Sequence, residues 1–118
     1  GCTELCQLFC WDNKLTTIDI TNNTKIREMN CENNQLTTLD ISKNTKLISL
    51  TCESNQLSLL DISQNKKLTF FNCLNNPGKD SVFPITAWFD NSNVPAQFSK
   101  GNYTYNGRTV SIVYSKKN

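Results

Sequence analysis

At 118 residues the chain suffices for one hydrophobic core and not for two. Its net charge of +2, with Lys and Arg dispersed, removes the electrostatic case for nucleic acid, and no apolar run approaches the length of a membrane-spanning helix. Histidine is absent altogether, which takes away the commonest general base and the commonest zinc-binding side chain.

Residues 1–4 read as a short N-terminal segment, without the charged start and apolar run that mark a secretion signal. A signal is therefore expected to have been removed or never to have been present. Cys2 has three options: pairing with Cys6, staying free, or carrying a lipid, as a cysteine near the mature start of a bacterial lipoprotein does. At Leu5 a pattern begins. Leu5, Leu8, Cys10, Asn13, Leu15, Ile18, Asp19, Ile20 and Thr21 are matched 21 residues on by Ile26, Met29, Cys31, Asn34, Leu36, Leu39, Asp40, Ile41 and Ser42. A further 21 residues give Leu47, Leu50, Cys52, Asn55, Leu57, Leu60, Asp61, Ile62 and Ser63. A fourth copy opens with Leu68, Phe71, Cys73 and Asn76 and breaks at Pro77-Gly78. Residues 5–76 thus hold four copies, the last incomplete, and a period of this length with this apolar spacing marks a stacked repeat solenoid.

Within a copy, Leu50 and Cys52 fall on one face of a short strand because side chains alternate along it. Asn55 ends the strand, and Leu57, Leu60 and Ile62 carry the chain back over the same core. Each large inward side chain contributes about 1.5–3 kcal/mol, which offsets the ordering cost only when neighbouring copies cover both flanks. No segment keeps helical spacing for a full helix, so the return arm is expected to be extended or a short 3-10 turn.

Three columns follow from the period. Cys10, Cys31, Cys52 and Cys73 share an inward position and are expected to be reduced, buried thiols acting as small apolar side chains. Asn13, Asn34, Asn55 and Asn76 sit where the chain leaves the strand, where a buried amide can donate to and accept from backbone groups left unpaired. Asp19, Asp40 and Asp61 precede the hydroxyls of Thr21, Ser42 and Ser63 in a pattern of turn chemistry. Lys25, Lys46 and Lys67 read as a solvated rim.

The pattern L-x-x-L-x-C-x-x-N-x-L-T-x-L-D-I-S-x-N resembles the leucine-rich repeat family, in the 21-residue form of bacterial surface and secreted proteins. That resemblance implies a right-handed solenoid with a parallel sheet on its concave face, little α-helix, and recognition of proteins or sometimes glycans rather than catalysis. It also implies an extracellular or cell-surface setting. The chain departs from the family in its few copies and minimal N-terminal cap, so the expectation is either a larger parent protein that was trimmed or association of a partner chain through the poorly covered first edge.

Residues 77–118 read as a C-terminal capping region. Val82, Ile85, Ala87 and Asp90 repeat the strand spacing, which predicts a fifth parallel strand over 82–88. Residues 91–100 are loop-like, and a hairpin is predicted over about 103–114, turning at Asn106-Gly107 in a type I′ turn. It is expected to close the open end of the stack.

Catalysis has little support: no hydroxyl or thiol has a histidine to activate it, and no two carboxylates stand out from the repeated ones as a glycosidase pair. No cofactor is expected. Binding has more support. The outward positions of the concave sheet form columns: Gln7, Glu28, Ser49, Phe70; then Phe9, Asn30, Thr51, Asn72; then Trp11, Glu32, Glu53, Leu74, extended to Trp88. Aromatic ends thereby flank a polar, acidic middle, as in interface anchors and sugar-stacking platforms. A blander reading makes Phe9 and Trp11 covers for the first copy and packs Trp88 under the hairpin. Glu32 and Glu53 read as a solvated acidic pair rather than a calcium site, so no metal is expected. The leading expectation is a non-enzymatic module binding a protein partner; a glycan-binding module and a structural spacer of a larger surface protein are the alternatives.

Overall fold

The 21-residue period becomes the hydrogen-bond register of a parallel sheet. The computed structural model describes residues 6–118. Its strands are β1 (Gln7–Phe9), β2 (Glu28–Asn30), β3 (Ser49–Thr51), β4 (Leu60–Asp61), β5 (Phe70–Asn72), β6 (Val82–Ala87), β7 (Asn102–Tyr105) and β8 (Arg108–Lys116). Among the described residues, helix is limited to one 3-10 turn at Asn91–Asn93. The segment 1–4, the opening of the first copy at Leu5, and the options for Cys2 lie outside the described residues.

The first sheet runs β1-β2-β3-β5, with Leu8 opposite Met29, Met29 opposite Leu50 and Leu50 opposite Phe71. These central residues face the interior and the flanking ones face out, as strand alternation requires. Three residues beyond each strand the chain turns a corner at Asp12, Asn33, Ser54 or Asn75, all left-handed with φ of 58°, 56°, 59° and 57°. Asp, Asn and Ser accept that conformation because a short polar side chain bonds locally. The return arm buries Leu57, Leu60 and Ile62 completely or nearly so, and an Asx turn closes it. Asp40 Oδ1 accepts the Ser42 amide at 3.0 Å and its hydroxyl at 2.7 Å; Asp19 treats Thr21 alike. Those two Ser/Thr contacts, hydroxyl first and then amide, hold both carboxyls below their ordinary value.

The second sheet runs β4-β6-β8-β7, with β6 parallel to both neighbours and β7 antiparallel to β8. This corrects the expectation of a fifth strand beside β5: residues 82–87 form a strand that joins the return-arm side, pairing Ile85 with Leu60 and Thr86 with Asp61. The cause is a double corner. Gly78 has φ 61°, and Asp80 and Ser81 follow with φ 53° and 66°, which redirects the chain before it reaches β5's open edge. A Cβ on Gly78 would sit 2.2 Å from the Val82 carbonyl oxygen, so only glycine fits. The edge of β5 is instead met by Phe98, which bridges to Phe71, and by the Ser99 amide, which donates to the Phe71 carbonyl at 2.9 Å.

The β7–β8 turn has Asn106 at φ 48° and Gly107 at φ 79°, the signs a type I′ turn needs. Tyr103 donates its hydroxyl to the Asn76 carbonyl, and Tyr114 donates its own to that of Ser99, joining the second sheet to the last repeat. Burial pushes both phenols well above their ordinary values. Phe71, Phe89, Phe98 and Tyr114 complete an aromatic cluster over the final copy. The result is a β-rich repeat fold of parallel strands with almost no helix.

Candidate functional site

The outward face of the first sheet is where copies of the repeat differ. Gln7, Glu28, Ser49 and Phe70 lie in one register line, and Phe9, Asn30, Thr51 and Asn72 in the next. The Trp11, Glu32, Glu53, Leu74 line continues past the strand ends: the Asp12 amide donates to the Glu32 carbonyl at 3.0 Å and the Ser54 amide to that of Leu74 at 3.0 Å. From β1 to β5 the face spans about 14 Å at ordinary strand spacing.

Its two ends are apolar. Phe9 is 51% and Trp11 47% exposed, their rings 5.8 Å apart and tilted by 49°. Phe70 at the far end is 40% exposed, while Leu74 is half-buried and packs against the core. The middle is polar and held in place. Asn30 Oδ1 accepts the Glu32 amide at 3.1 Å, and Asn72 Oδ1 accepts that of Leu74 at 3.1 Å. Asn72 Nδ2 also donates to Glu53 Oε1 at 2.7 Å, so Glu53 is tied to the β5 side. Thr51, Glu32 and Glu53 are half-buried and Glu28 is exposed. Among the described residues no group of three or more metal-ligating side chains comes together.

Trp88 does not belong to this face. With β6 in the other sheet, its ring stacks edge-on to Phe89 at 4.9 Å and to Phe98 at 6.1 Å. It lines a cleft of about 310 Å³ with Ser63, Lys66 and Lys117 on the return-arm side.

Behind the face run the two inward columns. Cys31, Cys52 and Cys73 are fully buried free thiols, whereas Cys10 is half-buried because no described repeat stacks before it. Burial pushes Cys31 and Cys73 up to about 12 and raises Cys52 well above its ordinary value. Asn34, Asn55 and Asn76 are buried too. Asn55 Nδ2 donates to the carbonyls of Cys31 at 3.0 Å, Cys52 at 3.1 Å and Glu53 at 3.4 Å, while its Oδ1 accepts the Leu36 amide at 3.1 Å. Asn13 is an exposed turn residue, a departure from the expected column with the same cause as at Cys10.

The asparagine that closes the repeat pattern forms a second ladder, a role its sequence context did not reveal. Asn44 donates to the Ile20 and Asn23 carbonyls at 3.1 and 2.8 Å, and Asn65 to those of Ile41 and Asn44 at 2.9 and 3.0 Å. Asn23, Asn44 and Asn65 recur at 21 residues, so the signal was the same period, hidden in the N-T-K and N-K-K segments of the lysine rim.

Strands in 21-residue register, inward thiols and amide ladders define a β-rich repeat protein. No family model matches the chain, and no curated protein matches it. Among solved structures it is similar to the functional domain of InlJ from Listeria monocytogenes, described as including a cysteine ladder, at 33% identity and a TM-score of 0.64. That likeness covers 71% of this chain and 21% of the other, so the chain spans about a fifth of that neighbour's length. The neighbour is a leucine-rich repeat internalin domain, in agreement with the repeat pattern read here.

Proposed function

We propose that this chain is a right-handed leucine-rich repeat solenoid serving as a non-enzymatic recognition module of a bacterial surface or secreted protein. It takes a protein partner on the concave face of its first sheet. The supporting observation is the trio Phe9, Trp11 and Phe70, left 51%, 47% and 40% exposed at the two ends of a polar strip. Large aromatics held on or just past rigid strands lose little freedom on binding, and such anchors dominate interface energetics. Glu28, Glu32 and Glu53 between them favour a partner with basic side chains opposite the strip, which steers association. Similarity to InlJ from Listeria monocytogenes supports the surface or secreted setting.

The test replaces Phe9, Trp11 and Phe70 together with serine and presents both proteins to arrays of extracellular proteins and polysaccharides. A protein ligand should bind the native chain and lose at least about tenfold in affinity with the variant, while the unfolding midpoint holds. A protein ligand indifferent to all three changes refutes the site. A polysaccharide that shifts Trp11 emission, with no protein ligand found, favours the glycan reading. A parent protein unaltered in every phenotype by the triple change favours the spacer.

A further inference from the structure

The third copy of the repeat departs from the two before it where it meets the second sheet. Thr24 and Thr45 are matched 21 residues on by Lys66, and the half-buried Thr21 and exposed Ser42 by Ser63, which is only 3% exposed. A hydrogen bond is lost with that burial. Thr21 and Ser42 each donate a hydroxyl to the aspartate two residues earlier, at 2.7 Å. The Ser63 amide still donates to Asp61 Oδ1 at 2.8 Å, but its hydroxyl, though near that carboxyl, meets hydrogen-bond geometry with no partner. A buried hydroxyl without a partner is uncommon, and it costs stability until some polar atom answers it.

Ser63 and Lys66 line the cleft of about 310 Å³ that Trp88 and the end of β8 complete. Lys116 lies opposite Ala87 in the β6–β8 register, and the Lys117 amide donates to the Ala87 carbonyl at 2.9 Å. Backbone pairing thereby sets both lysines beside Trp88, whose half-buried indole is fixed edge-on against Phe89 and Phe98. Three ammonium groups face two carboxylates. Asp61 Oδ2 pairs with Lys117 Nζ at 3.7 Å, while Asp90, within electrostatic reach of Lys116, already accepts the Ser92 amide at 2.9 Å. Among the described residues Lys66 has no ion-pair partner, so the cleft keeps a surplus of positive charge.

These walls select a ligand that is ring-shaped, hydroxylated and anionic. The volume sits at the small end of ligand sites and holds one ring. Trp88 offers a rigid apolar platform, Ser63 and Gln64 offer hydrogen bonds, and lysine answers a carboxylate as a point charge on a flexible stem. A neutral sugar leaves the ammonium groups unanswered, and a bare inorganic anion leaves the indole uncovered. We propose that the cleft binds one uronic acid residue of an acidic polysaccharide, with its pyranose ring against Trp88, its carboxylate on Lys66 and Lys116, and a ring hydroxyl on Ser63. The site lies on the return-arm side, apart from the face carrying Phe9, Trp11 and Phe70, and neither depends on the other.

The test uses Trp11→Phe, which leaves Trp88 as the one tryptophan, titrated with oligomers of galacturonic, glucuronic and mannuronic acid. At least one should shift Trp88 emission, and its methyl ester, which keeps the ring and loses the charge, should bind at least about tenfold more weakly. Lys66→Thr gives the third copy the residue of the other two; the unfolding midpoint should hold while affinity falls at least about tenfold. Ser63→Ala removes a hydroxyl that has no partner, so it should weaken binding without lowering the midpoint. No emission change with any of the three acids, equal binding of acid and methyl ester, or unchanged affinity in Lys66→Thr overturns the proposal. So does inorganic phosphate that fills the cleft as tightly as the oligomers, because the ring then contributes nothing.

Discussion

Asn55→Ala is the sharpest probe of what holds the repeats together. The Asn55 side chain makes three donations and accepts one amide across two repeats. Its partners do not suffer equally. The Cys31 carbonyl still accepts from Asn34 at 3.0 Å, and the Cys52 carbonyl from Asn76 at 3.1 Å, so each loses one bond of two. The Leu36 amide is fully buried with Asn55 as its acceptor, and it becomes an orphan. An unsatisfied buried donor costs about 1–3 kcal/mol, and each lost bond whose partner stays satisfied about 0.5–1.5 kcal/mol. Together these place the loss at about 4 kcal/mol, a large share of the 5–15 kcal/mol typical of a domain. Asn13→Ala removes two donations at an exposed corner and orphans nothing, which sets its cost at about 1 kcal/mol. Urea titration of both variants, with comparable slopes, measures the difference directly. Asn55→Asp should be about as damaging as alanine at neutral pH, since it turns an acceptor toward carbonyl oxygens. A gap between Asn55→Ala and Asn13→Ala of less than about 1 kcal/mol would refute the ladder as a source of stability.

The buried thiols give a pH test whose sign is fixed. Cys31 and Cys73, pushed by burial up to about 12 against an ordinary 9.0, stay protonated in the fold where the unfolded chain ionises. Their stabilisation is whole below pH 9 and is lost as pH rises toward 12, at about 1.4 kcal/mol per pH unit for each thiol. Replacing both with alanine should flatten the alkaline limb of the stability curve, and an unchanged limb would contradict the burial. At pH 8, iodoacetamide should modify Cys10 in the native chain and reach Cys31, Cys52 and Cys73 only after unfolding, read by peptide mass spectrometry. Gly78→Ala, with φ 61° and its new Cβ against the Val82 carbonyl, should cost about 3 kcal/mol or more in urea titration. A loss under about 0.5 kcal/mol would mean the corner is soft. Tyr103→Phe strips the donor from the Asn76 carbonyl and should cost about 1–2 kcal/mol, with faster amide exchange confined to the fourth repeat and cap.

What the sequence disclosed and what it hid divide along one physical line. A parallel stack translates sequence period directly into register, so Leu8, Met29, Leu50 and Phe71 could be aligned by counting. Inward columns were equally legible, because a buried position favours an apolar or hydrogen-bonded side chain in every copy. The corner residues Asp12, Asn33, Ser54 and Asn75 were harder: left-handed backbone accepts Asp, Asn or Ser, so the column varies in identity while keeping its conformation. The Asn23, Asn44, Asn65 ladder was masked by position, lying in a polar turn where asparagine has an ordinary explanation.

Trp88 shows why spacing without a corner misleads. Val82, Ile85 and Ala87 imitate the repeat, yet the segment buries Phe83, Ile85 and Ala87 at a strict two-residue alternation, the pattern of a longer strand. The repeat needs a left-handed corner three residues past its strand; residues 82–88 instead follow three left-handed residues at Gly78, Asp80 and Ser81. Those reversals set β6 against β4, a return-arm segment, and leave β5 to Phe98. Two competing demands are met at once. The last repeat needs an apolar cover, which an aromatic cluster supplies, and its parallel edge must not be left as a template for further pairing. The single bridge at Phe71 followed by divergence toward the hairpin satisfies both, because the ladder is terminated by a segment that cannot itself be extended. The β1 edge has no such terminator among the described residues.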